Sequence, residues 1–130
     1  MNGTTNEHEC AAVLLTQVQR ARMLKNGRDN AARINEDGNT HDFWPVVKLF
    51  CPWGAATWLL SELDPDEPDI AFGLCDLGMG CPELGSVRLS ELAAIRGVGG
   101  LISERDLHFK PTKSLTAYAV DAREHGCIRV

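Results

Sequence analysis

The middle of the chain constrains the fold most. Between residues 45 and 89 four apolar segments of strand length follow one another, each bounded by residues that interrupt regular structure. Residues 45–50 carry two adjacent valines, and residues 56–63 are richer in large side chains. Cys51-Pro52-Trp53-Gly54 lies between them, a turn that makes the pair a hairpin. The stretch Leu63-Asp64-Pro65-Asp66-Glu67-Pro68-Asp69 must be a loop, because its two prolines remove backbone donors and its acids repel one another. A third strand is predicted over residues 70–77 and a fourth over 84–89, joined through Gly78-Met79-Gly80. Four strands in succession with short turns favour an antiparallel meander.

The flanks read as helices. Thr4 and Glu7 have capping-box spacing, and Leu14, Leu15, Val18, Ala21 and Leu24 recur at helical spacing up to Asn26-Gly27, a natural left-handed stop. Residues 28–43 are rich in Asn, Asp, Arg and Gly, with Ile34 their only large aliphatic residue before the aromatic Phe43, and read as a polar linker. After the meander, Ser90 caps a short helix that packs Leu92 and Ile95 inward and stops at Gly97. Gly99-Gly100 turns the chain into a fifth extended segment over 101–109, with Leu107 and Phe109 on one face. A last helix runs from Ser114 through Leu115, Tyr118, Ala119 and Ala122 to Gly126. The expected organisation is an N-terminal helix (1–27), a linker (28–43) and a core domain (44–130). The fold class is α+β: one domain, with a mainly antiparallel sheet of four to five strands packed by N-terminal, short middle and C-terminal helices. Segregated order of this kind excludes a doubly wound nucleotide fold.

Composition narrows the function classes. The 130 residues are 44% hydrophobic, enough for a core without metal or disulfide. No apolar run reaches the length of a membrane span and the polar first ten residues lack signal-peptide character, so the expected compartment is the cytoplasm. Five cysteines, an odd count without an export signal, are expected to be free thiols. The net charge of -5 speaks against direct nucleic-acid binding. That charge is uneven: residues 62–91 hold eight acids against Arg88 alone, a local charge of -7, while the rest of the chain is close to neutral.

Motifs for chemistry are sparse. Cys75 and Cys81 are too far apart for a zinc-ligand pair and the histidines are scattered, so no metal site is expected. No nucleophile elbow occurs, the glycines fit no phosphate-binding spacing, and no cofactor is expected. Carboxylates near strand ends, Glu62, Asp76, Glu83, Glu104 and Asp106, could form an acid–base pair if they converged. Trp53, in a Pro-Trp-Gly turn, is a candidate contact residue because exposed tryptophan is enriched at binding hot spots.

The ordered series Val46-Val47-Lys48-Leu49-Phe50, Ala56-Thr57-Trp58, Leu60-Ser61-Glu62, Phe72-Gly73-Leu74-Cys75-Asp76, Glu83-Leu84-Gly85, Leu89-Ser90-Glu91-Leu92, Ile95-Arg96-Gly97, Gly100-Leu101 and Glu104-Arg105-Asp106-Leu107-His108-Phe109 resembles the bacterial domain of unknown function 2958. The resemblance spans about residues 44–123. It implies a small cytoplasmic protein carried on plasmids, integrative elements and phages, with no assigned activity and no catalytic residue to transfer. The chain departs from the pattern at Cys51-Pro52-Trp53, at Cys81 and in the polar segment 34–40.

Three functions follow as expectations. The first is a non-enzymatic interaction protein of a mobile element that binds and inhibits a host protein, such as a nucleic-acid-directed defence complex of the CRISPR or restriction kind. Trp53, Glu62, Asp64, Asp66, Glu67 and Asp69 are its partner-binding candidates. The second is a carboxylate- or metal-dependent hydrolase using Asp76, Glu83 and Glu104. The third is a plasmid accessory protein that binds single-stranded DNA through Trp53 and the C-terminal bases.

Overall fold

A computed structural model describes residues 14–130. Its elements are α1 (Gln17–Asp37), β1 (Val47–Phe50), β2 (Thr57–Leu63), β3 (Ile70–Asp76), β4 (Glu83–Arg88), α2 (Leu89–Ala94), a 3-10 turn (Val98–Gly100), β5 (Glu104–Arg105) and α3 (Leu115–His125). The architecture is α+β, as predicted. The five strands form one antiparallel open sheet in the order β4-β3-β2-β1-β5. The consecutive strands make the meander, and β5 returns to the outer side of β1. No helix among the described residues is long and apolar enough to cross a membrane.

Strand alternation divides the core into two layers. Val47, Leu49, Trp58, Leu60, Leu63 and Ala71 share one face with Leu14 and Leu15 just ahead of α1, Met23 of α1, and Leu89 and Leu92 of α2. Leu59 and Leu74 face the other way, onto Leu115, Tyr118, Ala119 and Ala122 of α3. The sheet is therefore covered by α1 and α2 on one side and by α3 on the other.

Helix α1 departs most from expectation. The predicted capping box at Thr4 and Glu7 lies outside the described residues. The cap that starts α1 is Thr16, whose hydroxyl accepts from the Gln19 amide at 3.0 Å while the Gln19 side chain accepts from the Thr16 amide at 3.0 Å. The helix then runs straight through Asn26-Gly27 and ends at Gly38, so residues 28–37 of the expected linker are helical. Val18, predicted to face inward, is 74% exposed. The buried stripe is Met23, Asn26, Gly27 and Asn30; Met23 joins the apolar core, and the two asparagines dock on β2 by polar contacts. Asn26 Nδ2 donates to the Ser61 carbonyl at 2.9 Å, and a Cβ on Gly27 would run into the Leu63 carbonyl oxygen. Gly27 is thus a close-approach glycine inside a helix rather than a stop.

The remainder of the linker is also held. The Phe43 carbonyl accepts from the Leu115 amide at 2.9 Å and Asp42 Oδ1 accepts from the Thr116 amide at 3.1 Å, so this segment caps α3. Ser114 caps it as well, accepting from Ala117 N at 3.3 Å. The expected fifth segment shrinks to the two residues of β5, and Leu107 is 75% exposed instead of sharing a packed face with Phe109. Asp106, just beyond it, pairs with Lys48 at 3.3 Å.

Candidate functional site

Where α1 passes the end of β2, the two elements leave an open cleft of about 450 Å³. Asn30, Ala31 and Ile34 line one side and Leu63, Asp64, Pro65 and Asp66 another, with Phe72 of β3 also exposed to it. Glu62 lies in this cleft because of a register shift between Leu60 and Glu62. With uninterrupted alternation Glu62 would share the face of Leu60, inside the core. The bulge places Glu62 opposite Phe72 and turns Leu63 inward instead.

A buried amide orients the carboxyl. Asn30 Nδ2 donates to Glu62 Oε1 at 2.9 Å and to the His41 carbonyl at 3.2 Å, while Asn30 Oδ1 accepts from the His41 amide at 2.7 Å. Asn30 is 3% exposed, so its position is fixed by α1 behind it and by the returning chain at His41. Burial pushes the half-buried Glu62 carboxyl above the ordinary glutamate range, and the Asn30 hydrogen bond opposes that shift without cancelling it. A smaller cleft of about 260 Å³ adjoins, lined by Thr40, His41, Asp42 and Phe43, and shares Glu62 and Phe72 with the first. Glu62 is thus an oriented, half-buried carboxyl that lines both clefts.

The rim of the cleft is the acidic loop, and its backbone is pinned. Asp64 Oδ1 accepts from the amides of Asp66 at 2.9 Å and Glu67 at 3.3 Å, and the Ile70 amide donates to the Glu67 carbonyl at 2.9 Å. At the far end Asp69 caps α2: its carbonyl accepts from the Leu89 amide at 2.8 Å, and its carboxylate accepts from Ser90 N at 3.0 Å and Ser90 Oγ at 2.6 Å. The cap predicted at Ser90 is therefore supplied from the preceding loop. Arg88 pairs with Glu67 at 2.8 Å and lies 3.7 Å from Asp69. Asp64, Asp66 and Glu67 remain exposed on this fixed frame, and Asp66 has no side-chain partner among the described residues.

Residues 14–129 match the sequence pattern of a family described as a protein of unknown function (DUF2958). The chain belongs to that family. No curated protein and no solved structure matches it. The match extends beyond the resemblance over residues 44–123 and takes in α1, so the Asn-Gly-Asn face and the cleft it lines lie inside the DUF2958 domain.

Of the six partner-binding candidates, Glu62, Asp64, Asp66 and Glu67 come together at the cleft and its rim, whereas Asp69 is engaged with α2. Trp53 lies at the opposite end of β2, in the β1–β2 turn. Its indole covers Gly97, where no Cβ could fit, and packs against the core. The alternative enzymatic candidates are dispersed. Asp76 is buried, with its carboxylate accepting from Gly78 N at 2.8 Å and Ile128 N at 3.0 Å, which ties the chain end to the sheet. Glu83 opens β4, and Glu104 lies in β5 at the far edge. No group of three or more His, Cys, Asp or Glu side chains suited to a metal ion occurs among the described residues. Among the described residues Cys51, Cys75, Cys81 and Cys127 are free thiols, while Cys10, the fifth cysteine of that expectation, lies outside them; burial pushes the Cys75 thiol up. The cleft residues that sequence reasoning missed are Asn30, Thr40 and His41. The one available signal was Asn26 and Asn30 in line with Met23 at helical spacing.

Proposed function

We propose that the protein is a non-enzymatic interaction module that engages a basic surface of a partner protein through Asp64, Asp66 and Glu67, with Glu62 behind them. The observation that carries this reading is the combination of exposed charge and pinned backbone in the 63–69 loop. A loop already ordered by Asp64 and Asp69 loses little conformational freedom on docking, and concentrated charge steers a basic partner to it. The partner class follows from the resemblance to proteins of plasmids, integrative elements and phages: a host defence complex that handles DNA or RNA, whose nucleic-acid groove is basic. An acidic inhibitor of such a complex, acting in the cytoplasm in the anti-CRISPR or anti-restriction manner, competes for that groove.

The test is transformation of a targeted plasmid into a defence-proficient host that expresses the protein or its Asp64→Asn, Asp66→Asn, Glu67→Gln variant. Asparagine at position 64 retains the acceptor on which the turn depends. The wild type is expected to raise transformation, and the neutralised variant to lose most of that gain while keeping its stability to within about 1 kcal/mol, because these side chains are exposed. Undiminished protection by the variant would sink the acidic mechanism.

A further inference from the structure

We infer that the Glu62 cleft is the seat of one arginine side chain of the partner. The inference rests on the interaction reading above and names the group recognised. Three carboxylates, Glu62, Asp64 and Asp66, line the cleft, and no lysine or arginine does. Only one Glu62 oxygen, Oε1, is taken by Asn30; Oε2 has no partner among the described residues. The carboxylate is thus held in one orientation with an acceptor left over, and a cation delivered to it would offset the cost of its burial.

The rest of the cleft favours a guanidinium on an aliphatic stem. Ile34, Leu63 and Pro65 supply apolar walls, and the ring of Phe72 lines the same space. A planar, weakly hydrated guanidinium can stack on an aromatic face and still donate to a carboxylate at its edge, whereas an ammonium loses more hydration on entering such a site. Asp64 and Asp66 at the mouth add negative potential without closing it.

The experiment is an NMR titration of the ¹⁵N-labelled full chain with N-acetyl-arginine-N′-methylamide, run beside the lysine and citrulline analogues. Saturable shifts are expected at the Asn30 side-chain amide and at the backbone amides of Glu62 and Phe72. The lysine analogue should bind several-fold more weakly, and citrulline, isosteric but uncharged, should not saturate. Glu62→Gln, which keeps the acceptor for Asn30, should weaken arginine binding at least tenfold with the spectrum otherwise preserved. Equal shifts from citrulline, unaltered binding in Glu62→Gln, or no saturation at Asn30 would each overturn the arginine seat. If it fails while the triple variant still loses plasmid protection, acidic docking stands without this pocket; if both fail, both readings fall.

Discussion

Gly27 and Glu62 show how single residues set this site. In an exposed helix, alanine in place of glycine would be stabilising by roughly 1 kcal/mol. At position 27 the added methyl meets the Leu63 carbonyl, a backbone atom that cannot rotate away. Gly27→Ala is therefore expected to destabilise the protein by about 2 kcal/mol, read from urea unfolding, since an overpacked contact must be relieved by shifting α1 from β2. Glu62 acts through ionisation. Its folded pKa lies above that of an unfolded glutamate, so its contribution to stability is full below the unfolded value of about 4.3 and is lost as pH rises through the folded value. Glu62→Gln should accordingly be more stable than the wild type at pH 7, with the difference closing below about pH 4, where the wild-type carboxyl is also neutral. Thermal unfolding at the two pH values checks the sign; an advantage for the variant that persists at low pH would exclude desolvation as its source.

At the scale of elements, two helices begin on groups supplied from elsewhere in the chain. Asp69 caps α2 and Asp42 caps α3, across sequence separations of 21 and 74 residues. The acidic loop is for this reason partly structural: Asp69 is engaged with the helix, and Glu67 balances Arg88. Asp69→Ala should cost about 1–2 kcal/mol and raise amide exchange at Leu89 and Ser90, as loss of a cap does elsewhere. Asp69→Asn, which retains an acceptor, should recover part of that loss. Asp66→Asn should change stability very little, having no side-chain partner to lose. The contrast separates acids that hold the frame from acids presented by it.

The whole molecule has two dissimilar ends. The cleft and the 63–69 loop lie where β2 ends and β3 begins; the β1–β2 and β3–β4 turns lie at the other end, where Ala55 meets Gly78 and Trp53 covers Gly97. The exposed acids Asp64, Asp66 and Glu67 lie at the first of these ends, and on the proposed reading association with a basic partner is steered from there. The on-rate is expected to fall about tenfold as ionic strength rises from roughly 0.05 to 0.3 M, because the screening length shortens to a few ångströms. The triple-neutralised variant should show a much flatter salt dependence by stopped-flow or surface binding. The sequence by itself determined the four meander strands, their succession and the final helix, since two-residue alternation, turn residues and the Ser114 and Gly126 caps are local signals. It also located the acidic loop. Only the tertiary structure decided where α1 ends and which way Glu62 faces. The buried stripe of α1 carries Asn26, Gly27 and Asn30, which look like a stop and a linker until the Ser61 carbonyl accepts from Asn26, the Leu63 carbonyl abuts Gly27, and the Glu62 carboxyl and His41 backbone pair with Asn30. The bulge before Glu62 is one residue of register, and its direction is set by the packing of Leu60 and Leu63 against α1 and β3, contacts that exist only once the sheet has formed.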